Sequence, residues 1–317
     1  MNHENVLTKT RVATITSLIA GIAFVTSAQA AVISGSSSGF ALGVDLGLAN
    51  DLVTADIKIP SAVGGNAPAS YDINDSLLGA DAVLNGEVTV NNLLNISLAN
   101  VANDTLLASA ASSNVDGGVG NRQSDASAEV NSLGLDISST QLLNTVDLGS
   151  ALSISSSTIF ADSSVSGDVN NLNATGSSYV EDLSISLFGL AAINHVNLGL
   201  QADALGRVFA PTNFNVLSVQ GIAGLDLFLN EQVETCNNFS CSITVNALRL
   251  SFNGVDVSDL GAGLLNGNTL NGDVIIGQAV AALQAQADAV NDVPAPASAA
   301  LMLLGILAAG TARKYRK

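Results

Sequence analysis

Through much of this chain, apolar residues return at every second position, and that spacing restricts the possible folds more than any other feature. In ALGVDLGL, Leu42, Val44, Leu46 and Leu48 share one side. In TADIKI, Ala55, Ile57 and Ile59 do the same, with Thr54, Asp56 and Lys58 opposite. LGLDI groups Leu133, Leu135 and Ile137, and LSISL groups Leu183, Ile185 and Leu187. A period of two belongs to a strand with one face in a core and the other in water. SSNVDGGVGN and GNTLNG read as turns between such strands. The expectation is an all-β domain, an antiparallel two-sheet sandwich, with a β-solenoid as the alternative. AVAALQAQADAVN, from Ala279 to Asn291, reads as a short helix or, preferably, as the lead into a flexible linker. The domain is therefore expected over 31–284 and a linker over 285–292.

An apolar fraction of 48% is too high for a chain that stays disordered throughout. Aromatic residues make up only 4%, with no Trp, so the core has to be built from Val, Leu, Ile and Ala.

The two extremities differ from the body. Lys9 and Arg11 precede an apolar run from Val12 to Val25, and Ala28-Gln29-Ala30 follows with the small-x-small pattern cut by a signal peptidase. Residues 1–30 are thus expected to be a secretory signal peptide, with the mature chain starting at Ala31. At the other end, Val293-Pro294-Ala295-Pro296 leads into an apolar segment over 297–312 and then Arg313, Lys314, Arg316 and Lys317. As a helix this segment reaches about 24 Å, close to the roughly 30 Å of a bilayer core once flanking residues adjust. The basic tail belongs on the cytoplasmic side, which puts the body across the membrane.

Residues 293–317 resemble the PEP-CTERM sorting signal, in which a Pro-Glu-Pro-like motif precedes a hydrophobic span and a basic tail. That resemblance implies recognition and removal of the tail by an exosortase. Ala295 stands where the family usually has Glu. Without processing, the tail is a transmembrane anchor.

Between these ends, 4 basic residues (Lys58, Arg122, Arg207, Arg249) face 26 acidic ones, a net charge of about −22. Such a surface repels nucleic acid and anionic head groups, so no nucleic-acid partner is expected.

One hairpin can be read closely. Through LDLFLNEQVET, Leu225, Leu227, Leu229 and Val233 share a face. The return strand SITVNALRLSF begins with Ile243 and Val245 inward, then switches to Leu248, Leu250 and Phe252. An extra residue near Asn246 or Ala247, a β-bulge, would produce that switch. Glu231 falls on the apolar face of the first strand; it belongs at the sheet's rim, the expectation, or is a buried carboxylate with a partner. Cys236 and Cys241 bracket the turn NNFS, and in an exported chain they are expected to form a disulfide.

The same region, from Leu227 to Ala281, resembles the C-terminal part of the choice-of-anchor P family. The matching pieces are Leu229 to Gln232, Ile243 to Leu248 and Gly272 to Ile276, and SGSSSGFALGVDL resembles the family's opening segment. The resemblance implies an extracellular protein tethered by an exchangeable tail, and it brings no catalytic residues.

Chemistry is sparse. His195, in AINHVNLG, is the single histidine between the two ends, and its place in strand alternation suggests a surface or rim position rather than a general base. His-Glu-x-x-His and phosphate-binding glycine loops are lacking. Asp116, Asn121 and Asp125 lie in a Gly-rich loop without EF-hand spacing; a solvated acidic turn is expected, with calcium as the alternative. Asn95 and Asn173 begin Asn-x-Ser/Thr triplets, which an Asn- and Ser-rich chain produces by chance. VTVNNLL and ITVNALR are similar but too short to establish a duplication.

No catalytic residue or resident cofactor is expected. The expected role is structural, in the surface or extracellular matrix layer of a Gram-negative bacterium. Signal peptidase, exosortase, the membrane and exopolysaccharide are the expected partners. The alternative is a polysaccharide-binding adhesin or carbohydrate-active enzyme that uses surface carboxylates, with calcium.

Overall fold

The computed structural model describes residues 31–48, 53–59, 63–78, 88–90, 94–98, 106–118, 120–139, 150–187, 193–216, 223–256 and 269–286. The signal-peptide and sorting-signal expectations at Ala28, Ala30 and 293–317, including the span 297–312, lie outside them. No helix among the described residues is long and apolar enough to cross a membrane.

Every described element is a strand. They are β1 (Ala31–Leu48), β2 (Val53–Ile59), β3 (Val63–Asn66), β4 (Tyr71–Leu78), β5 (Val88–Val90), β6 (Leu94–Leu98), β7 (Leu106–Ser113), β8 (Arg122–Ser139), β9 (Ser150–Asp168), β10 (Asn171–Glu181), β11 (Ser184–Leu187), β12 (Ile193–Asn194), β13 (Arg207–Val208), β14 (Phe214–Asn215), β15 (Leu225–Cys236), β16 (Ser240–Asp256) and β17 (Thr269–Gln286). They form two sheets. The first, of 7 strands, runs β14-β15-β16-β17-β1-β2, with β3 beside β2 on the same edge of β1. The second has 10 strands: β8 and β9 form its spine, β6 and β7 share one edge of β8, and β10 and β11 share one edge of β9. All these pairings are antiparallel and neither sheet closes, as in a sandwich and unlike the parallel coil of a solenoid. β17 packs across β8 and β9, and β1 across β7 and β8.

The expected alternation holds where large residues meet. Leu42, Val44 and Leu46 of β1, Leu133 and Leu135 of β8, and Leu183 and Ile185 are all buried. Burial of each such side chain contributes about 1.5–3 kcal/mol.

Two sequence readings change. Ala279 to Gln286 is the end of β17, so the compact unit runs over 31–286 and includes the first residues assigned to a linker. Alanine favours helix intrinsically. Here Ala279, Ala281, Leu283 and Ala285 point inward on a strand hydrogen-bonded to β1 and β16 on either side, and this pairing overrides the propensity. GNTLNG is likewise not a turn throughout, since Thr269 to Gly272 open β17 and Leu270 is buried.

The phase switch in the hairpin is real, but a bulge does not cause it. β15 and β16 keep one register from Leu225 opposite Phe252 to Cys236 opposite Cys241. The irregularity in this part of the sheet lies at Asn253/Val255, between β16 and β17. The switch coincides with left-handed backbone in two of the strands, where Asn230 in β15 has φ 51° and Gly277 in β17 has φ 68°. Ala247 lies between them, and Ala41 of β1 continues the row. In each of the four strands the inward positions change parity there; in β1, Gly35, Ser37 and Gly39 give way to Leu42, Val44 and Leu46. The switch carries Val233 out to 57% exposure, against its expected inward position. The second sheet has the same device: Ser132 (φ 60°) and Asp182 (φ 51°) flank Ser157 at one level of β8, β9 and the gap between β10 and β11.

These two rows divide the interior by side-chain size. On one side, Leu, Ile and Val fill the space between the sheets. On the other, Gly35, Ser37, Gly39, Ser124, Ala126 and Ser163 face inward beside larger residues such as Ile243, Val245 and Leu283. A Cβ on Gly39 would lie 2.7 Å from the carbonyl oxygen of Ser127 in the opposite sheet, so only glycine fits.

Candidate functional site

Alternation that fills the interior also sets what the outer faces display. In β9 and β10, Ile159, Ala161, Ser178 and Val180 are buried, which turns Phe160 and Tyr179 outward. Register aligns them: Glu129 of β8 stands opposite Phe160, and Phe160 opposite Tyr179. β13 extends the row, because Val180 pairs with Val208 and Glu181 with Arg207, leaving Phe209 beside Tyr179. The ring centroids of Phe160 and Tyr179 are 5.2 Å apart, and those of Tyr179 and Phe209 are 5.7 Å apart. Phe209 is 49% exposed, the outermost rung of this ladder.

Arg207 lies over two of the rungs, its guanidinium carbon 5.6 Å from the Tyr179 centroid and 5.5 Å from that of Phe209. Such stacking contributes about 0.5–1 kcal/mol at an exposed site. Asp203 fixes the arginine. Its Oδ1 accepts the backbone N–H groups of Leu205 (2.8 Å) and Arg207 (3.0 Å), while Oδ2 accepts Arg207 Nε (2.9 Å) and Nη2 (2.7 Å). The Arg207 hydrogen bond, followed by those backbone donors, holds the Asp203 carboxyl below its usual range despite some desolvation. Burial, then Glu129 and Glu181, push the Tyr179 phenol up, with Arg207 opposing them. Glu129 also accepts Asn131 Nδ2 at 3.0 Å. The site therefore combines stacking surfaces, one oriented cation and a rim of carboxylates, which suits it for recognition.

The residues singled out in the sequence lie elsewhere. Cys236 and Cys241 face each other at the tip of the β15–β16 hairpin, joined as a disulfide with Cα atoms 4.0 Å apart. Glu234 has a carboxylate oxygen within 4.8 Å of both sulfurs. Glu231 is not at a rim: its side chain is 12% exposed and bonds Arg249 Nη1 at 2.6 Å and Asn246 Nδ2 at 2.7 Å. Asp273 accepts Arg249 Nε at 2.9 Å, and Gln278 Nε2 donates to Asn246 Oδ1 at 2.8 Å, completing a network on the outer face of the first sheet. His195 is half-buried in the turn after β12 rather than in a strand. Asp116 binds Arg122 at 2.6 Å and the N–H of Gly118 at 2.7 Å, and Asp125 accepts Gln123 Nε2 at 2.8 Å. Asn95 lies in β6, and Asn173 is exposed on β10. Ala31 begins β1.

The aromatic ladder was missed because its members are scattered over STIFAD, SSYVED and GRVFAP. The available signal was parity: Phe160 and Tyr179 occupy the polar phase of their strands, where an aromatic ring is out of place. Comparisons with protein-family models, curated proteins and solved structures return no match.

Proposed function

We propose that this chain is an exported, exosortase-sorted protein with a non-catalytic, structural role at the cell surface or in the extracellular matrix, associated with biofilm exopolysaccharide. One observation carries the reading: Ala31 and Gln286 are paired neighbours, so the two ends of the fold leave it side by side. Signal-peptide removal before Ala31 and a tether after Gln286 then act on neighbouring strand ends. The Cys236–Cys241 hairpin lies beside them, with Ala285 N–H bonded to Phe239 O at 2.7 Å. A disulfide there suits an oxidising compartment. A PEP-CTERM-like order of motif, apolar span and basic tail over 293–317 supplies the tether, and the exosortase removes it.

Fractionation of producing cells with and without exosortase, followed by intact-mass measurement, tests this. The expected product begins at Ala31, carries one disulfide and loses the tail only when exosortase is present. A full-length mass in both strains, or cytosolic protein with free thiols, refutes the reading.

A further inference from the structure

We propose that the outer face of the larger sheet, at Glu129, Phe160, Tyr179 and Phe209 under Arg207, is a binding seat for a neutral polysaccharide chain. The proposal concerns the described fold alone and does not depend on how the chain is exported or anchored.

A pyranose ring offers an apolar C–H face and a rim of hydroxyl groups. Its complement is an aromatic surface bordered by hydrogen-bond acceptors and donors. Here the ladder supplies the surface, Glu129 and Glu181 the acceptors, and the Asn131 amide a donor beside Glu129.

The chain holds only three Tyr and nine Phe, yet three of these rings meet on a water-facing sheet surface. Two cross-strand rings alone would be explained by sheet stability. Phe209 and Arg207 go beyond that, because they arrive from beyond strands β8, β9 and β10 and are held there by the four-bond Asp203 turn. Half of Phe209 remains in water, and Leu205 on the same turn is 71% exposed.

Charge decides which saccharide. Asp203 neutralises Arg207, the one cation at the ladder among the described residues, while Glu129 and Glu181 remain beside it. That balance repels uronate, sulfate and phosphate polymers and leaves neutral hexose chains as the ligand.

The test is affinity electrophoresis of the full-length protein in detergent, through native gels containing amylopectin, hydroxyethyl cellulose, laminarin or alginate. Retardation is expected in at least one neutral gel and not in alginate. Phe209→Ala should weaken it by about tenfold, as loss of a stacking partner does. Arg207→Lys should weaken it too, because charge is kept and the planar stack is lost. Phe239→Ala, at the distant hairpin, should leave it unchanged. A thermal midpoint for each variant separates lost binding from lost folding; Phe209→Ala, half exposed, is the decisive one. Absence of retardation in all three neutral gels overturns the proposal, as does retardation that Phe209→Ala retains in full. Self-association that Phe209→Ala abolishes and saccharide does not compete away would reassign the face to a second copy of this chain, and also overturns it.

Discussion

Gly277 gives the sharpest test of the idea that the row where the first sheet's faces turn over is packed against the facing sheet. Its φ is 68°, and an added Cβ would lie 3.3 Å from Ala247 Cβ and 3.5 Å from Ile159 Cγ2 of the facing sheet. Placing Ala in left-handed backbone costs about 1–2 kcal/mol. Crowding the Ala247 methyl group adds about 1 kcal/mol, the low end for overpacking, and the reduced entropy of the unfolded chain returns about 0.5 kcal/mol. The net expectation for Gly277→Ala is a loss of about 2 kcal/mol, or roughly 4–8 °C in Tm for a domain of this size. Gly254 is the matched control, with φ 67° and nothing within 4 Å of its added Cβ. Gly254→Ala should therefore lose only the backbone part, about 1 kcal/mol. Urea unfolding followed by circular dichroism measures both midpoints. If Gly277→Ala is no less stable than Gly254→Ala, the row is not a packed junction between the sheets and the reasoning fails.

Three other outcomes follow from the same structure. Arg249→Met strands the largely buried Glu231 carboxylate, while Arg249 and Asp273 are themselves partly exposed. The expected cost is about 2 kcal/mol, a buried-pair penalty discounted for that exposure; adding Glu231→Gln should recover part of it, and equal urea midpoints for the single and double variants would count against the network. The Cys236–Cys241 bond closes a loop of sequence separation 5. Reducing it should lower stability by about 2 kcal/mol at most, the low end for so short a loop, and a larger loss in dithiothreitol would mean that the hairpin depends on it. Asp203 has a folded carboxyl held low by Arg207. It therefore stabilises its turn above the unfolded carboxylate's pKa of about 3.9, and this is lost as pH falls through the lower folded value; Asp203→Asn should remove that acid transition from the Arg207 Nε–H resonance.

Much of the fold was legible because strand parity is a local signal. Leu42, Val44, Leu46, Leu133 and Ile185 lie inside, as alternation requires, and the disulfide hairpin follows from two cysteines bracketing a turn. Where the reading failed, two local signals conflicted. At Glu231 and Val233 the apolar parity continued through a left-handed Asn230 that the one-dimensional pattern does not reveal, so both side chains were assigned to the wrong face. At Ala279 to Gln286 intrinsic helix preference competed with period two, and two hydrogen-bonded neighbours decided for the strand.

The candidate site shows the division most clearly. Sequence alone established an all-β chain with a core poor in aromatic rings and a surface dominated by acids, because those properties depend on composition and on neighbours one or two residues away. Only the tertiary structure decided that Phe160, Tyr179 and Phe209 form one ladder, and that Arg207 rather than Arg249 lies over it. Those residues meet through interstrand register and a turn fixed by Asp203. Register is set by pairing between segments that are distant along the chain, so no local pattern could announce it.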